Sequence, residues 1–399
     1  MSNPNLPAEL LDHVVDFLYD TEDTLRSCCL VAKSWIPRTR QHLFANVRFV
    51  AREDIESWKK TFPDPLASPA HYTKILFVGS LYFATAIDEE AGGWIRGFSR
   101  AVALRVVDLG TYIDEPGAGL VPFHGFSPII KALCVKVPTL LSSQALDLIL
   151  SFPLLEDLTV ATYNSLIDDN DGPYGLPTIA LSSPPMTGSL TLVRREGLKS
   201  LARRLISLPG GINFQKLNLT LLREEDLLSA TALVEGCSHT LESLEINCGY
   251  LGVSVQHCVC IDNLRHIPAE PRCDPISLSK AVELKNLTFR VGAQSVGWVT
   301  VALKTITPEH RDLRQISIYL PYSLTFVDVG ADIRQSIGEE TSRRWSDLDC
   351  LLVEFWESRS VRPRIGCATE WDSEGGQSME YCIGCLLPEI TRRGIVDPI

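Results

Sequence analysis

A short apolar pattern recurs along this 399-residue chain at intervals that are typical of repeat proteins. Each copy has an apolar residue, two spacers, a second apolar residue, one spacer and a third apolar residue. The copies begin at Phe44, Tyr72, Leu104, Ile130, Leu155, Thr187, Phe214, Leu241, Leu284, Leu313 and Leu348, at intervals of 25 to 43 residues. Because 45% of the residues are hydrophobic, the triplet arises by chance at about 9% of positions. The segments between the copies must therefore support the assignment.

Most of these segments predict one amphipathic helix, because apolar residues recur there at helical spacing. The predicted helix faces are Trp94, Ile95, Phe98 and Val102; Ala145, Leu146, Ile149 and Leu150; Leu198, Leu201 and Leu205; Leu227, Leu228, Leu233 and Val234; and Trp298, Ala302 and Ile306. Strand and helix thus alternate with the period of the repeat. This alternation predicts an α/β solenoid with a parallel inner sheet and outer helices.

Six copies, LEDLTV, FQKLNL, LESLEI, LKNLTF, LRQISI and LDCLLV, resemble leucine-rich repeats. The family usually has Asn or Cys after the strand, and only Asn164 stands at that place, so the resemblance implies irregular repeats. Long units predict inserted loops at residues 111–127, 163–188 and 250–275, where Pro and Gly are frequent.

A helical segment, residues 6–44, precedes the repeats and is predicted to form three short helices. Pro7 suits a first helical position, and Glu9 in the first turn faces the positive end of the helix dipole. Apolar residues then recur at helical spacing, and Pro37 marks the start of the third helix. About 40 residues cannot bury so many apolar side chains among themselves. Part of this surface is therefore expected to be covered by another domain or another chain.

The stretches LPAELLDHVVDFL and CCLVAKSW, followed by LF, resemble an F-box. The resemblance implies that these helices bind the Skp adaptor and, through it, the cullin of a ubiquitin ligase. The implied contact residues are Leu6, Pro7, Leu10, Leu11, Val14, Leu18, Leu30, Val31 and Trp35. Ala32 stands where the family often has Ser, and the acidic turn at residues 20–23 is longer than usual. The alternative interpretation is a helical cap that closes a larger core.

The charge balance bears on the classes of partner. A net charge of -12 and a pI near 5.2, without any basic run, argue against nucleic acid and anionic membranes. The longest nearly uncharged apolar run, residues 75–87, is shorter than the ~20 residues of a membrane helix. No signal peptide is predicted, because Pro4, Pro7 and acidic residues interrupt the N-terminal segment. We expect an intracellular protein, in the cytoplasm, the nucleus or both.

Twelve cysteines are predicted to be reduced apolar residues. Two groups contain residue types that bind zinc: His257, Cys258, Cys260, His266 and Cys273; and Cys367, Cys382 and Cys385. Tetrahedral zinc usually takes two closely spaced ligand pairs, whereas Cys382 and Cys385 form one pair and the first group is irregularly spaced. No nucleophile, phosphate-loop or paired-ligand signature was recognised either. We expect no metal, no cofactor and no catalytic site.

Together these features predict an F-box at 1–45, degenerate leucine-rich repeats at 46–365 and a C-terminal tail or cap at 366–399. The expected function is substrate recognition for a Skp–cullin–F-box ubiquitin ligase; the alternative is a repeat scaffold with no ligase role. Spacer residues of the strands are expected to bind an unknown protein substrate on the concave face, and the inserted loops are the alternative. The named spacers are Arg48, Lys74, Asp108, Lys136, Asn218, Glu245, Thr288, Arg290 and Tyr319, together with Asp157, Thr159, Ser317 and Glu354.

Overall fold

The structure, a computed structural model, describes most of the chain in two compact units, Met1–Thr178 and Ile179–Ile399. The described residues are 7–65, 67–79, 95–107, 126, 128–167, 185–194, 198–221, 224–248, 276–292, 295–320, 338–367, 379–395 and 397–398. Both units are mixed α/β and contain parallel strands. The α/β class and the parallel sheet predicted from the sequence are therefore confirmed.

The first unit has five parallel strands in chain order, preceded by helices. Its α-helices are α1 (Ala8–Phe17), α2 (Glu22–Val31), α3 (Ile36–Leu43), α4 (Arg52–Thr61) and α5 (Ser142–Leu150), with 3-10 turns at Lys33–Trp35, Pro69–Tyr72 and Ile95–Phe98. Its strands are β1 (Asn46–Phe49), β2 (Ile75–Gly79), β3 (Ala103–Val107), β4 (Ala132–Leu141) and β5 (Asp157–Ile167).

The second unit repeats this plan with seven parallel strands in chain order. Its helices are α6 (Leu198–Ile206), α7 (Glu224–Gly236), α8 (Val296–Lys304), α9 (Glu339–Arg359), α10 (Met379–Leu386) and α11 (Pro388–Arg392). Its strands are β6 (Met186–Arg194), β7 (Ile212–Thr220), β8 (Ser243–Cys248), β9 (Asn286–Val291), β10 (Gln315–Leu320), β11 (Arg362–Cys367) and β12 (Asp397–Pro398).

One face of each sheet forms the core, because apolar residues two apart in successive strands align across the sheet. In the first unit one aligned row is Leu76, Leu104, Leu133 and Leu158, and in the second it is Leu217, Leu244, Leu287 and Ile316. All eight side chains are buried. Each burial contributes about 1.5 to 3 kcal/mol. The opposite face, called the open face below, carries the alternate residues of the same strands.

Successive strands are joined at their first residues by a recurring hydrogen-bond pattern. One carbonyl oxygen accepts from two consecutive amides of the next strand's start. Such carbonyls belong to Ala45, Lys74, Val102, Lys131, Glu242 and Lys285, with N–O distances from 2.7 to 3.3 Å. Because the same bonds recur in both units, they fix the register between neighbouring strands. The structure therefore contains a recurring connection between the starts of neighbouring strands.

The register differs from the sequence interpretation at β2 and β3. The large core-facing side chains of β2 are Leu76 and Val78, and those of β3 are Leu104 and Val106. The triplets that begin at Tyr72 and Leu104 therefore lie out of register. Dense apolar runs offer several overlapping triplets, and only the aligned core row selects among them.

The strand predicted at Leu348 is wrong, because LDCLLV lies inside helix α9. Trp345, Leu348, Leu352 and Phe355 are buried along this helix. Two apolar residues three positions apart fit a helix as well as the strand triplet. The helical spacing of the four buried residues distinguishes the two and favours the helix. Glu354 is consequently exposed on a helix. Strand β11, which pairs with β10, takes the predicted strand's place.

The helix predicted from Trp94 to Val102 is also shorter than expected. Its described part is the 3-10 turn Ile95–Phe98, and Trp94 lies outside the described residues. Asn164 lies within strand β5 and not in a turn after it. The predicted loop at 250–275 and most of those at 111–127 and 163–188 lie outside the described part of the chain.

The apolar C-terminal segment packs on the end of the second sheet. Helices α10 and α11 contact α9, and β12 pairs in parallel with β11. Buried Asp349 accepts hydrogen bonds from the backbone N–H groups of Glu389 (2.7 Å) and Ile390 (3.0 Å). The carboxylate thus binds the first amides of α11, which have no partner within a helix.

Candidate functional site

The first candidate site is built on helices α1, α2 and α3, which form as the sequence predicted. Val15 and Leu25 are 1% exposed, and Cys28 is also buried. Helix α3 contacts both α1 and α2. The three helices therefore have a small core of their own, which holds their outer surfaces in place.

An ionic network joins α1 to α3. The Asp16 carboxylate accepts from Arg38 Nε and Nη2, each at 2.6 Å, and lies 2.7 Å from His42 Nε2. Hydrogen bonds from Arg38 and then from His42 hold the pKa of Asp16 well below its ordinary value. This two-pronged contact fixes the angle between the helices, since a guanidinium and a carboxylate meet in one plane.

Two groups of apolar side chains on these helices remain exposed. On α1, Leu10, Val14 and Phe17 recur at helical spacing, and Phe17 is 85% exposed. At the end of α2, Leu30 and Val31 are exposed, Leu30 by 89%. We call these five residues the helix surface. Monomeric proteins rarely group large apolar side chains that are this exposed.

Several predicted contact residues belong to the helix surface and others do not. Leu10, Val14, Leu30 and Val31 are in it, and Pro7 is also exposed. Leu11, Leu18 and Trp35 are half-buried, and Leu6 lies outside the described residues. Phe17 and the exposed Tyr19 were not predicted. Phe17 ends the apolar run of α1 and Tyr19 follows this helix, and that position is the sequence feature that indicates them.

Aromatic side chains attach the helices to the first sheet. Trp58 of α4 makes edge contacts with Phe44, at a 6.0 Å centroid distance, and with Phe49 of β1, at 5.6 Å. Its ring also lies 5.5 Å from that of Phe98. Phe44 follows α3 directly, so this cluster connects the end of the helical segment to the first strand. The helix surface is therefore held on an ordered support.

The second candidate site is the open face of the second sheet, where Glu245 is the centre of a polar network. Glu245 accepts from Arg290 Nε at 2.6 Å and from Asn218 Nδ2 at 3.1 Å. The Arg290 guanidinium carbon lies 4.7 Å from the centroid of the Tyr319 ring. Half-buried Thr288 is the register partner of Glu245. The structure thus brings five predicted substrate residues onto neighbouring strands.

The open face of the first sheet has a different character. Its central row is Arg48, Phe77, Arg105, Cys134 and Thr159, one residue from each strand. The Arg48 guanidinium carbon lies 4.5 Å from the centroid of the Phe77 ring. Arg105 was not predicted, because the assumed triplet placed Asp108 there instead.

The remaining predicted residues of this face fall in different places. Lys136 follows the central row by two positions in β4 and is half-buried. Lys74 is exposed but precedes β2, and Asp108 lies outside the described residues. Asp157 begins β5 and is exposed. The central row of this face therefore carries cations and an aromatic ring, and Asp157 lies on the same face at the start of β5. The register assigns Phe77, not Lys74, to the row.

Eight cysteines of the described part of the chain are free thiols, and burial lowers the reactivity of several of them. Burial raises the pKa of Cys237 to about 11 and that of Cys248 to about 12. Burial also raises the pKa of the Cys134 thiol, although nearby Lys136 and Arg105 act in the opposite direction. Among the described residues, no three His, Cys, Asp or Glu side chains are grouped to hold a metal ion. The cluster from His257 to Cys273 lies outside them.

In the part of the chain that the structure describes, no helix is both long and apolar enough to cross a membrane. The chain matches no protein-family model, and no curated protein matches it.

Proposed function

We propose that this protein is the substrate-recognition subunit of a Skp–cullin–F-box ubiquitin ligase. In this proposal the helix surface binds the Skp adaptor, and an open sheet face binds the protein substrate. The supporting observation is the exposure of Leu10, Val14 and Phe17 on α1 and of Leu30 and Val31 on α2. These are apolar residues within the stretches that resemble an F-box.

The exposure pattern favours a partner over a simple cap. The core of the three helices is already supplied by Val15, Leu25 and Cys28. Leu30 and Phe17 contribute nothing to that core, because each is more than four-fifths exposed. Covering either side chain contributes about 1.5 to 3 kcal/mol to binding. A partner that covers both α1 and the end of α2 therefore gains several such contributions.

The ordered connection between the helices and the first sheet supports the second half of the proposal. Trp58 packs between the end of α3 and the first strand, and so helix surface and sheet belong to one compact unit. A ligase that acts by proximity needs such a rigid support, because the substrate must be held near a reactive group on a partner. The chain supplies position, and the other subunits supply the chemistry.

The test is capture of the purified adaptor by the full-length chain. We expect Leu30→Asp and Leu10→Asp to weaken adaptor binding at least tenfold, because each places a charge in an apolar contact. Leu228→Asp is the matched control: Leu228 is an apolar residue on helix α7 and is 64% exposed. Circular dichroism and thermal unfolding establish that all three variants remain folded.

Two results would refute this function. If the wild-type chain captures no adaptor, the protein is a repeat scaffold without a ligase role. If the two variants capture the adaptor as well as the wild type does, the helix surface is not the contact. Equal loss in Leu228→Asp would show that the effect is not local.

A further inference from the structure

Three cations on the open face of the first sheet, which pair with no carboxylate of the described residues, indicate the chemistry of its partner. Arg48 and Arg105 are exposed in the central row, and half-buried Lys136 lies beside them. Among the described residues, no carboxylate forms an ion pair with any of the three. This is unexpected in a chain whose net charge is -12, because carboxylates outnumber cations overall.

The second sheet provides an internal comparison. Its open face also carries an arginine, Arg290, but there Glu245 accepts from Arg290 Nε at 2.6 Å. The arginine of the second sheet therefore already has an anionic partner within the chain. Within the described part of the chain the three cations of the first sheet have no such partner, which leaves them available for an anionic ligand.

The spacing of these groups fits an extended peptide. Neighbouring strands lie about 4.8 Å apart, so Arg48 on β1 and Arg105 on β3 are about 10 Å apart at their backbones. Arg105 and Lys136 lie on adjacent strands and two register positions apart, a diagonal of about 8 Å. Alternate side chains of an extended peptide are about 6.6 Å apart, within reach of these long cations.

Phe77 adds an apolar element to the row. It is half-buried and lies between Arg48 and Arg105 in the register. The contact of Arg48 with its ring restrains the guanidinium without neutralising it. An apolar side chain placed between two acidic ones would therefore meet a ring between two cations.

We propose that the open face of the first sheet binds an extended acidic peptide segment of a partner protein across β1 to β4. Its carboxylates contact Arg48, Arg105 and Lys136, and an apolar residue between them packs on Phe77. This inference deepens the substrate half of the proposed function and rests on it only for the identity of the segment as substrate. The adaptor half depends on different residues, those of the helix surface.

The experiment is fluorescence anisotropy with the full-length chain and a short labelled peptide that has glutamates at alternate positions around a central leucine. We expect binding that weakens as salt increases. The same peptide with glutamine in place of glutamate should bind at least about tenfold more weakly. Arg105→Glu and Lys136→Glu should each weaken binding of the acidic peptide at least about tenfold, and Phe77→Ala should weaken binding of both peptides.

Arg203→Glu is the matched control, because Arg203 is exposed on helix α6 in the second unit. The proposal is overturned if the glutamine peptide binds equally well, or if Arg203→Glu has the same effect as Arg105→Glu. It is also overturned if a single-stranded oligonucleotide competes at lower concentration than the acidic peptide. Adaptor capture is measured on the same samples. Loss of peptide binding with adaptor capture intact refutes this inference alone, and the reverse result refutes the ligase assignment alone.

Discussion

Two aspartates join elements that lie far apart in the sequence, each by a different bond. Asp16 on α1 binds the charged Arg38 on α3, whereas Asp349 on α9 binds two backbone amides of α11. The first contact is partly exposed and the second is buried. Their contributions to stability should therefore differ in size and in response to pH.

Asp16→Asn is expected to lower the free energy of unfolding by about 1 kcal/mol at neutral pH, because the contact is accessible to solvent. The folded pKa of Asp16 lies below its ordinary value of 3.8, so its contribution is complete above about pH 5 and is lost as pH falls further. Urea unfolding of both proteins from pH 7 downward measures this. The difference should narrow below about pH 5, and the exposed Asp347→Asn is the control substitution. A difference that is constant over this range would contradict the assignment.

Asp349→Ala is expected to destabilise the C-terminal helices more strongly. It leaves the amides of Glu389 and Ile390 without their acceptor, at a cost of about 1 to 3 kcal/mol for each buried amide. Hydrogen exchange should become faster in residues 379–395, and Asp347→Asn is again the control. Unchanged protection there would mean that the segment is held by its apolar contacts alone.

At the scale of the strand, eight of the eleven predicted triplets lie in the observed register. Those that begin at Phe44, Ile130, Leu155, Thr187, Phe214, Leu241, Leu284 and Leu313 each place their second and third residues in the core. The pattern works because a parallel strand with one buried face needs apolar residues two apart. It fails at Tyr72 because the run from Ile75 to Gly79 is apolar on both faces. It fails at Leu104 because Val107, on the open face of β3, is apolar as well as the core residues Leu104 and Val106.

The register of β3 can be tested by cysteine accessibility. Arg105→Cys should react readily with a soluble maleimide, because this position is exposed. Val106→Cys should remain protected, because this position is buried. Both are compared with the reactivity of the unmodified chain, whose Cys350 is exposed and serves as an internal reference. Labelling at 106 and protection at 105 would reverse the register.

The candidate sites were less predictable than the strands. Local periodicity shows which residues can be buried, but it does not show which apolar residues stay outside when several compete, as Phe17 and Leu11 do on α1. The positions of the spacer residues predict the central residues on the open face of the second sheet, whereas Arg105 can be assigned only after neighbouring strands are aligned. Helix α9 was not predicted, because the apolar residues of the triplet that begins at Leu348 fit the strand pattern as well as helical spacing.

In the second unit the sheet ends at β11 and β12, and the end of a sheet needs protection. An unpaired strand edge presents free N–H and C=O groups that can pair with another chain. In the second unit β12 covers part of β11, through Arg364 and Ile365. Helices α10 and α11 pack beside it on α9.

Deleting residues 379–399 should therefore make the protein associate. The deletion uncovers the edge of β11 and the buried side chains of α9 that contact α11, so both strand pairing and apolar contact become available. Size-exclusion chromatography with light scattering should detect larger species that the full-length chain does not form under the same conditions. An unchanged mass would show that the edge of β11 needs no cover.

The bonds at the strand starts have a consequence for biosynthesis. Each carbonyl that accepts from two amides belongs to the residue just before the preceding strand in the chain, and strand order follows chain order in both units. A growing polypeptide therefore meets its docking partner for every new strand in the segment that left the ribosome just before it. Because no strand within a unit waits for a much later one, ordering can keep pace with translation.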